Sequence, residues 1–319
     1  MKSRKFKWIA LLPALMAAFA VVIDRIVPPS SRAMNIDTPY FSYVMAAVTV
    51  VFAICAVITV FNKDYRIKYL PKVKFYTVLI LFINLLNFLT DKTTLLKGIY
   101  FPPLNNVLAV AVTEREMLIN CVLYSGRLLI LGIIFGGAAG ILTGVLIGWY
   151  KEANYWIFPV FRFIGPMPTA IWIPIALLVF PTLLSASVFI VALSMWFPTM
   201  VQTSSGIQNV SKGYYDVART MGASTLYQII NIAIPAALPQ IFVGLFSGVT
   251  TSFITLMMAE LMGSKYGIGW YINWQQQIMS YSNVWMAFLI LAVCCFLVLK
   301  GLFALRKKFL SWQEGIIRW

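Results

Sequence analysis

Residues 214–239, YYDVARTMGASTLYQIINIAIPAALP, decide how this chain is read. The stretch lies between long apolar runs, yet it carries a carboxylate, an arginine, a glycine in mid-segment and two prolines. Tyr214–Thr220 and Ser224–Ala233 both favour short helices. Gly222 between them offers a position without Cβ sterics, suited to a bend or a close backbone approach. Ser224 is placed to cap the second helix, Pro235 to end it, and Pro239 to begin the next element. Val217, Met221, Leu226 and Ile229 are more apolar surface than a solvated loop needs. The expectation is a helix-turn-helix carrying Asp216 and Arg219, shaped to enter a groove on a partner.

The surroundings say where such a segment would sit. Of 319 residues, 61% are hydrophobic and 11% charged, against about 25% charged in a soluble domain. This points to an all-α, polytopic membrane helix bundle. There is no histidine, which removes the commonest general base and metal ligand. Cys55, Cys121, Cys294 and Cys295 fall in or beside apolar runs, with no disulfide or zinc spacing. No catalytic set, no metal site and no nucleic-acid partner is expected. Met1–Ala20 has the basic–apolar–Ala-Phe-Ala order of a secretory signal, but the apolar run continues through Ile23, so an uncleaved first helix is expected.

A span needs roughly 20 apolar residues. Eight are read, at about 8–27, 40–62, 73–91, 118–149, 155–180, 183–203, 237–260 and 284–305. Lysine and arginine set the orientation. With the amino terminus inside, most of the 25 basic residues fall on the cytoplasmic side, including Lys63, Arg66, Lys68, Lys72, Lys74, Arg306, Lys307 and Lys308. Outside lie Arg25, Arg32, Lys92, Lys97, Arg115 and Lys265, balanced by acids. The positive charge is therefore a topology signal. Residues 204–236 become a cytoplasmic loop, and both chain ends are cytoplasmic.

Within the fourth span Gly132, Gly136, Gly140, Gly144 and Gly148 recur every four residues, lining one face where another helix can approach closely. That face is either simple packing or a sliding contact. The fifth span carries Pro166, Pro168 and Pro174 around Trp172, and broken backbone at membrane depth is tolerated where it is buried or lines a wet cavity. Arg127, Pro166, Pro168, Trp172 and Glu260 are candidate pathway residues. No carboxylate falls near a bilayer midplane, as ion coupling usually requires, and no P-loop is present.

Asp216-Val217-Ala218, Gly222 and Ile232-Ala233-Ile234-Pro235 together resemble the signature of ABC importer permeases, Glu-Ala-Ala, three residues, Gly, nine residues, Ile-x-Leu-Pro. Every spacing matches; Asp, Val and Ile replace Glu, Ala and Leu. FPPLNNVL at 101–108, GPMPTAIWIP at 165–174, AELMGSKYGIGWYI at 259–272 and LRKKFLSW at 305–312 are similar to segments of the nitrate/sulfonate/taurine/bicarbonate subfamily. The resemblance covers roughly residues 100–313. It implies a permease core there, a three-span extension in 1–99 and a short tail in 314–319. It also implies a homodimeric channel in the bacterial cytoplasmic membrane, two ATPase subunits that hold the ATP and Mg, and an extracytoplasmic solute-binding protein. Asp216, Val217, Ala218, Arg219, Thr220, Met221, Gly222, Ala223, Ile232 and Pro235 match the ATPase-coupling motif. Members usually have one span before the Phe-Pro segment, and this chain has three, with the basic loop NKDYRIKYLPKVK at 62–74 among them. The rival reading is a secondary carrier or channel not driven by ATP.

Overall fold

The computed structural model describes residues 8–30, 38–93, 95–165 and 167–311, and among these every regular element is helical. In hydrocarbon each backbone N–H and C=O must find its partner within the segment, and a helix does this locally. Six helices are long and apolar enough to cross a membrane, and a broken pair makes a seventh. The first expected span, 8–27, falls within the described residues and contains α1, Leu12–Ile26.

The chain forms two compact units. The first contains α1, α2 (Tyr40–Phe61), α3 (Lys63–Asn87) and α4 (Leu104–Thr113). Here the structure corrects the sequence reading. The basic stretch before the third span is helix, and α2 and α3 are separated by Asn62 alone. Asn62 caps α3, its side chain accepting the N–H groups of Asp64 and Tyr65 at 3.0 Å each. Tyr69 and Val73 are buried on one side of this stretch with Ala10 and Ala56. The other end of α3 widens into a π turn, Phe88–Lys92. There Lys92 Nζ lies 2.8 Å from Asp91 and 3.4 Å from Asp24. The Asn87 amide donates to the same Asp24 oxygen, Oδ1, at 3.4 Å, and the Ser42 hydroxyl donates to Oδ2 at 2.5 Å. This buried ion cluster ties α1, α2 and α3 together, and removing one partner of such a set costs about 3–5 kcal/mol.

The second unit holds most of α5 (Arg115–Trp149), then α6 (Lys151–Ile164), α7 (Ile173–Val179), α8 (Leu183–Gln208), α9 (Lys212–Thr220), α10 (Thr225–Gln228) and α11 (Ile234–Glu260). The beginning of α12 (Ile268–Gln277) and the greater part of α13 (Tyr281–Phe309) also belong to it. The α5 ladder lies on α8. A Cβ at Gly132 would meet Val191, and one at Gly136 would meet the Ala192 carbonyl. One at Gly140 would stand 2.7 Å from Thr199 Cβ and 2.8 Å from the Trp196 carbonyl. Gly144 meets Thr203 and Met200 at 2.6 and 2.7 Å, and Gly148 meets Ile207 at 2.8 Å. Contact numbers rise together on both helices, so α5 and α8 run parallel. On α11 the order reverses. Gly244 faces Thr199 and Gln202, Gly248 faces Met195, and α11 is therefore antiparallel to α8. Hydroxyls add cross-links, Thr251 to the Ser194 carbonyl at 3.0 Å and Trp196 to Thr143 at 3.0 Å.

Because α5 and α8 point the same way, the chain between them must return across the bilayer. The sequence suggests one span over 155–180, but the structure breaks it into α6, a 3-10 turn at Thr169–Trp172, and α7. Proline density in this stretch is the physical reason, since each proline removes a helical donor.

Gly140→Leu forces the new side chain into backbone of α8, and thermal denaturation in detergent should show a loss of at least about 1–3 kcal/mol, the usual overpacking cost. Gly126→Ala, with nothing within 4 Å of the added carbon, should leave stability unchanged or slightly raised.

Candidate coupling site

The decisive segment follows α8 after a short connection. In α9 the small residue Ala218 is buried and its neighbours are exposed. Tyr215 packs edge-on against Trp149 at the end of α5, with ring centroids 5.2 Å apart. Burial pushes its phenol above the usual tyrosine range. These contacts fasten α9 to the second unit and aim its other face outward.

Gly222 closes α9. Its φ is +78°, in the left-handed region. The Gly222 N–H donates to the Arg219 carbonyl and the Ala223 N–H to the Ala218 carbonyl, both at 2.9 Å. This pair of bonds is a Schellman cap, and glycine is the residue that enters its left-handed position without Cβ strain. Ser224 then caps α10, accepting the Tyr227 N–H at 3.3 Å. The buried Gln228 side chain donates back to the Ala223 carbonyl at 2.9 Å, pinning the turn.

The structure differs from the sequence reading at Pro235. That residue does not end the second helix. The chain passes from α10 through a π turn, Ile229–Ala233, directly into α11, with Pro235 in its first turn and Pro239 inside it. A wide turn and a helix start are both places where a missing proline donor is tolerated. The second arm of the turn is thus continuous with a membrane span.

What the turn presents is apolar. Val217 is 61% exposed and Met221 81%, with Tyr214, Leu226 and Tyr227 also exposed. Around them lies a concavity of about 640 Å³, bounded by α9, Gly222 and Ile232. Asp216 and Arg219 are exposed and 3.8 Å apart at i,i+3. Such a surface pair is worth little to the fold, so both charges remain available to a partner. Thr220 turns its hydroxyl back to the Val217 carbonyl at 2.7 Å.

The expected pathway residues are dispersed. Arg127 and Pro168 are exposed, Trp172 is half-buried beside Ile173 and Ala176, and Pro166 lies outside the described residues. Glu260, the last residue of α11, is fully buried. Its carboxylate accepts the Ser125 hydroxyl at 2.5 Å and the Gly269 N–H at 2.7 Å, and also the Trp270 N–H. The Ser125 oxygen in turn accepts the Ile268 N–H at 2.8 Å. Glu260 therefore joins the start of α5, the end of α11 and the amino terminus of α12, where a carboxylate meets both unpaired donors and the favourable end of the helix dipole. Ser125 is not among the residues read from sequence, and Gly267 and Gly269 enter there only within the 259–272 segment, without a role. A Cβ on Gly267 would stand 2.5 Å from the Glu260 carboxyl carbon, and Gly269 has 3.0 Å to the same group. Two glycines shortly after a lone carboxylate at a span end were the available signal.

This arrangement belongs to a known class. The model of the family described as binding-protein-dependent transport system inner membrane component matches residues 136–309, and the chain belongs to that family. It is an ABC importer permease of the nitrate/sulfonate/bicarbonate subfamily, an inner-membrane transport component. The chain is similar to the putative aliphatic sulfonates transport permease protein SsuC of Bacillus subtilis, 28% identical over 212 residues, 65% of this chain and 76% of that protein. It is similar to the bicarbonate transport system permease protein CmpB of Synechococcus elongatus, 29% identical over 189 residues, 59% of this chain and 65% of that protein. It is also similar to the nitrate import permease protein NrtB of Leptolyngbya laminosa, 30% identical over 141 residues, 44% and 50% of the two chains.

Gly267 and Gly263 both have positive φ, +136° and +104°, but only Gly267 has a neighbour within 4 Å of an added Cβ. Gly267→Ala should therefore lower the melting temperature further than Gly263→Ala, by a difference of about 1–3 kcal/mol of overpacking, read by thermal denaturation of the two purified variants.

Proposed function

We propose that this chain moves a small solute inward by alternating access, driven by a separate ATPase that docks on the Asp216–Pro235 segment. The observation that carries the reading is the Schellman turn itself. It is closed by its own hydrogen bonds, exposed, apolar and joined without interruption to α11. A partner gripping Met221 and Val217 would hold a lever whose long arm is a membrane span, and rigid-body displacement of such elements is how access to a central site is switched. Two copies of the chain form the channel, two ATPase subunits hold the ATP and Mg, and an extracytoplasmic binding protein delivers the solute. Both termini and the turn face the cytoplasm. The names of the relatives favour a small anion resembling nitrate, a sulfonate or bicarbonate, and taurine belongs to the same chemical class.

Gly222→Val is the sharpest test. No heavy atom lies within 4 Å of its Cβ position, so the bundle has no clash to absorb. A β-branched residue at that φ strains the turn by roughly 1–3 kcal/mol. ATP-driven uptake into vesicles should fall about tenfold or more, with the melting temperature of the membrane bundle preserved. Full uptake by the variant, or uptake by the native chain in vesicles lacking any ATPase, would overturn the proposal, and the second result would favour a secondary carrier or channel.

A further inference from the structure

The first unit carries a basic helix face to which the transport reading above assigns no role. Lys63, Arg66, Lys68, Lys72 and Lys74 fall within the first twelve residues of α3, with Asp64 the single acid. The four lysines are exposed and Arg66 is half-buried. None of the five takes part in an ion pair among the described residues. They cannot fold inward, because the inner stripe of the same turns is occupied. Val73 and Tyr69 are buried, and the Tyr69 hydroxyl donates to the Ala10 carbonyl at 3.4 Å. Between the cations, Ile67 and Phe75 stand 63% and 66% exposed.

Length fixes the depth of this face. The span Lys63–Lys92 has 30 residues. At 1.5 Å per residue a helix of that length is about 45 Å long, against a hydrocarbon core of about 30 Å. Roughly a third must stand outside the core, and the charged end is the third that can. Pro71 points the same way, since it deprives the Ile67 carbonyl of its helical donor, and an orphan carbonyl is tolerated where water or headgroups supply one.

We propose that Lys63–Lys74 is a binding surface for anionic phospholipid headgroups. Its cations reach the phosphates while Ile67 and Phe75 enter the acyl boundary, the arrangement of a basic interfacial helix. The packing on Ala10 and Ala56 holds the surface ready, so that binding orders no flexible tail. The added unit thereby anchors the chain in anionic lipid.

The test uses the full chain in mild detergent, with phosphatidylglycerol or phosphatidylcholine added and retained lipid counted by native mass spectrometry. The native protein should retain phosphatidylglycerol preferentially, and 0.5 M salt should remove the preference by screening. The triple variant Lys68→Gln, Lys72→Gln, Lys74→Gln should retain roughly a hundredfold less, at about 1 kcal/mol per lysine, whereas Lys→Arg at the same positions should retain as much as native. Arg306→Gln with Lys308→Gln, at the end of α13, should leave the preference in place. Equal retention by the Gln triple variant, or equal retention of both lipids by the native chain, would overturn the proposal. So would loss of a co-purifying acidic protein from the Gln variant with lipid retention unchanged, which would make the surface a protein dock.

Discussion

The closeness of α8 to its two neighbours is the constraint on which the second unit depends. In lipid there is no hydrophobic gain from burying leucine, and helices associate through dispersion, interhelical hydrogen bonds and close backbone approach. Five glycines of α5 face one side of α8, and Gly244 and Gly248 of α11 face the other. Each lacks the one atom that would hold the backbones apart. The closeness then brings hydroxyls within reach of carbonyls, as at Thr251 and Ser194. It also fixes direction. Parallel α5 and α8 with antiparallel α11 place the ends of α5 and α8 beside the start of α11, where the Schellman turn lies, and place Ser125 and Glu260 together at the opposite end.

Those two ends are built differently. At one, Glu260 gathers the Ser125 hydroxyl and backbone donors from a helix start, and so fastens the ends of three helices together. At the other, the Schellman turn satisfies its own backbone and shows apolar side chains outward. A turn that is finished internally yet apolar externally is specialised for contact. The continuity of α10, the π turn and α11 gives that contact a mechanical consequence which a flexible loop would lack.

The legible parts of the sequence were the local ones. The four-residue glycine repeat, Gly222 between two helix formers and Ser224 before the second are short-range signals, and the all-helical bundle followed from apolar runs. Two readings differ from the structure for a shared reason. Charge reads Lys63–Lys74 as a loop, but Asn62 capping and the buried Tyr69 and Val73 make it helix. Pro235 reads as a stop, although it falls in the tolerant first turn of a new segment. The prolines of the 155–180 span do mark a break, and the structure divides that span around Thr169–Trp172. In the first two cases a proline or charge speaks without its tertiary surroundings. The Ser125–Glu260 bond joins residues 135 positions apart, and no local pattern announces such a pairing.

The most direct measurement places a photoactivatable phenylalanine analogue at Met221, 81% exposed on the Schellman turn, in native membranes. Illumination followed by mass spectrometry should yield one dominant adduct, with a P-loop ATPase that peels from the cytoplasmic face. Adducts confined to lipid, or to extracytoplasmic proteins, in membranes that still import the solute would contradict the account.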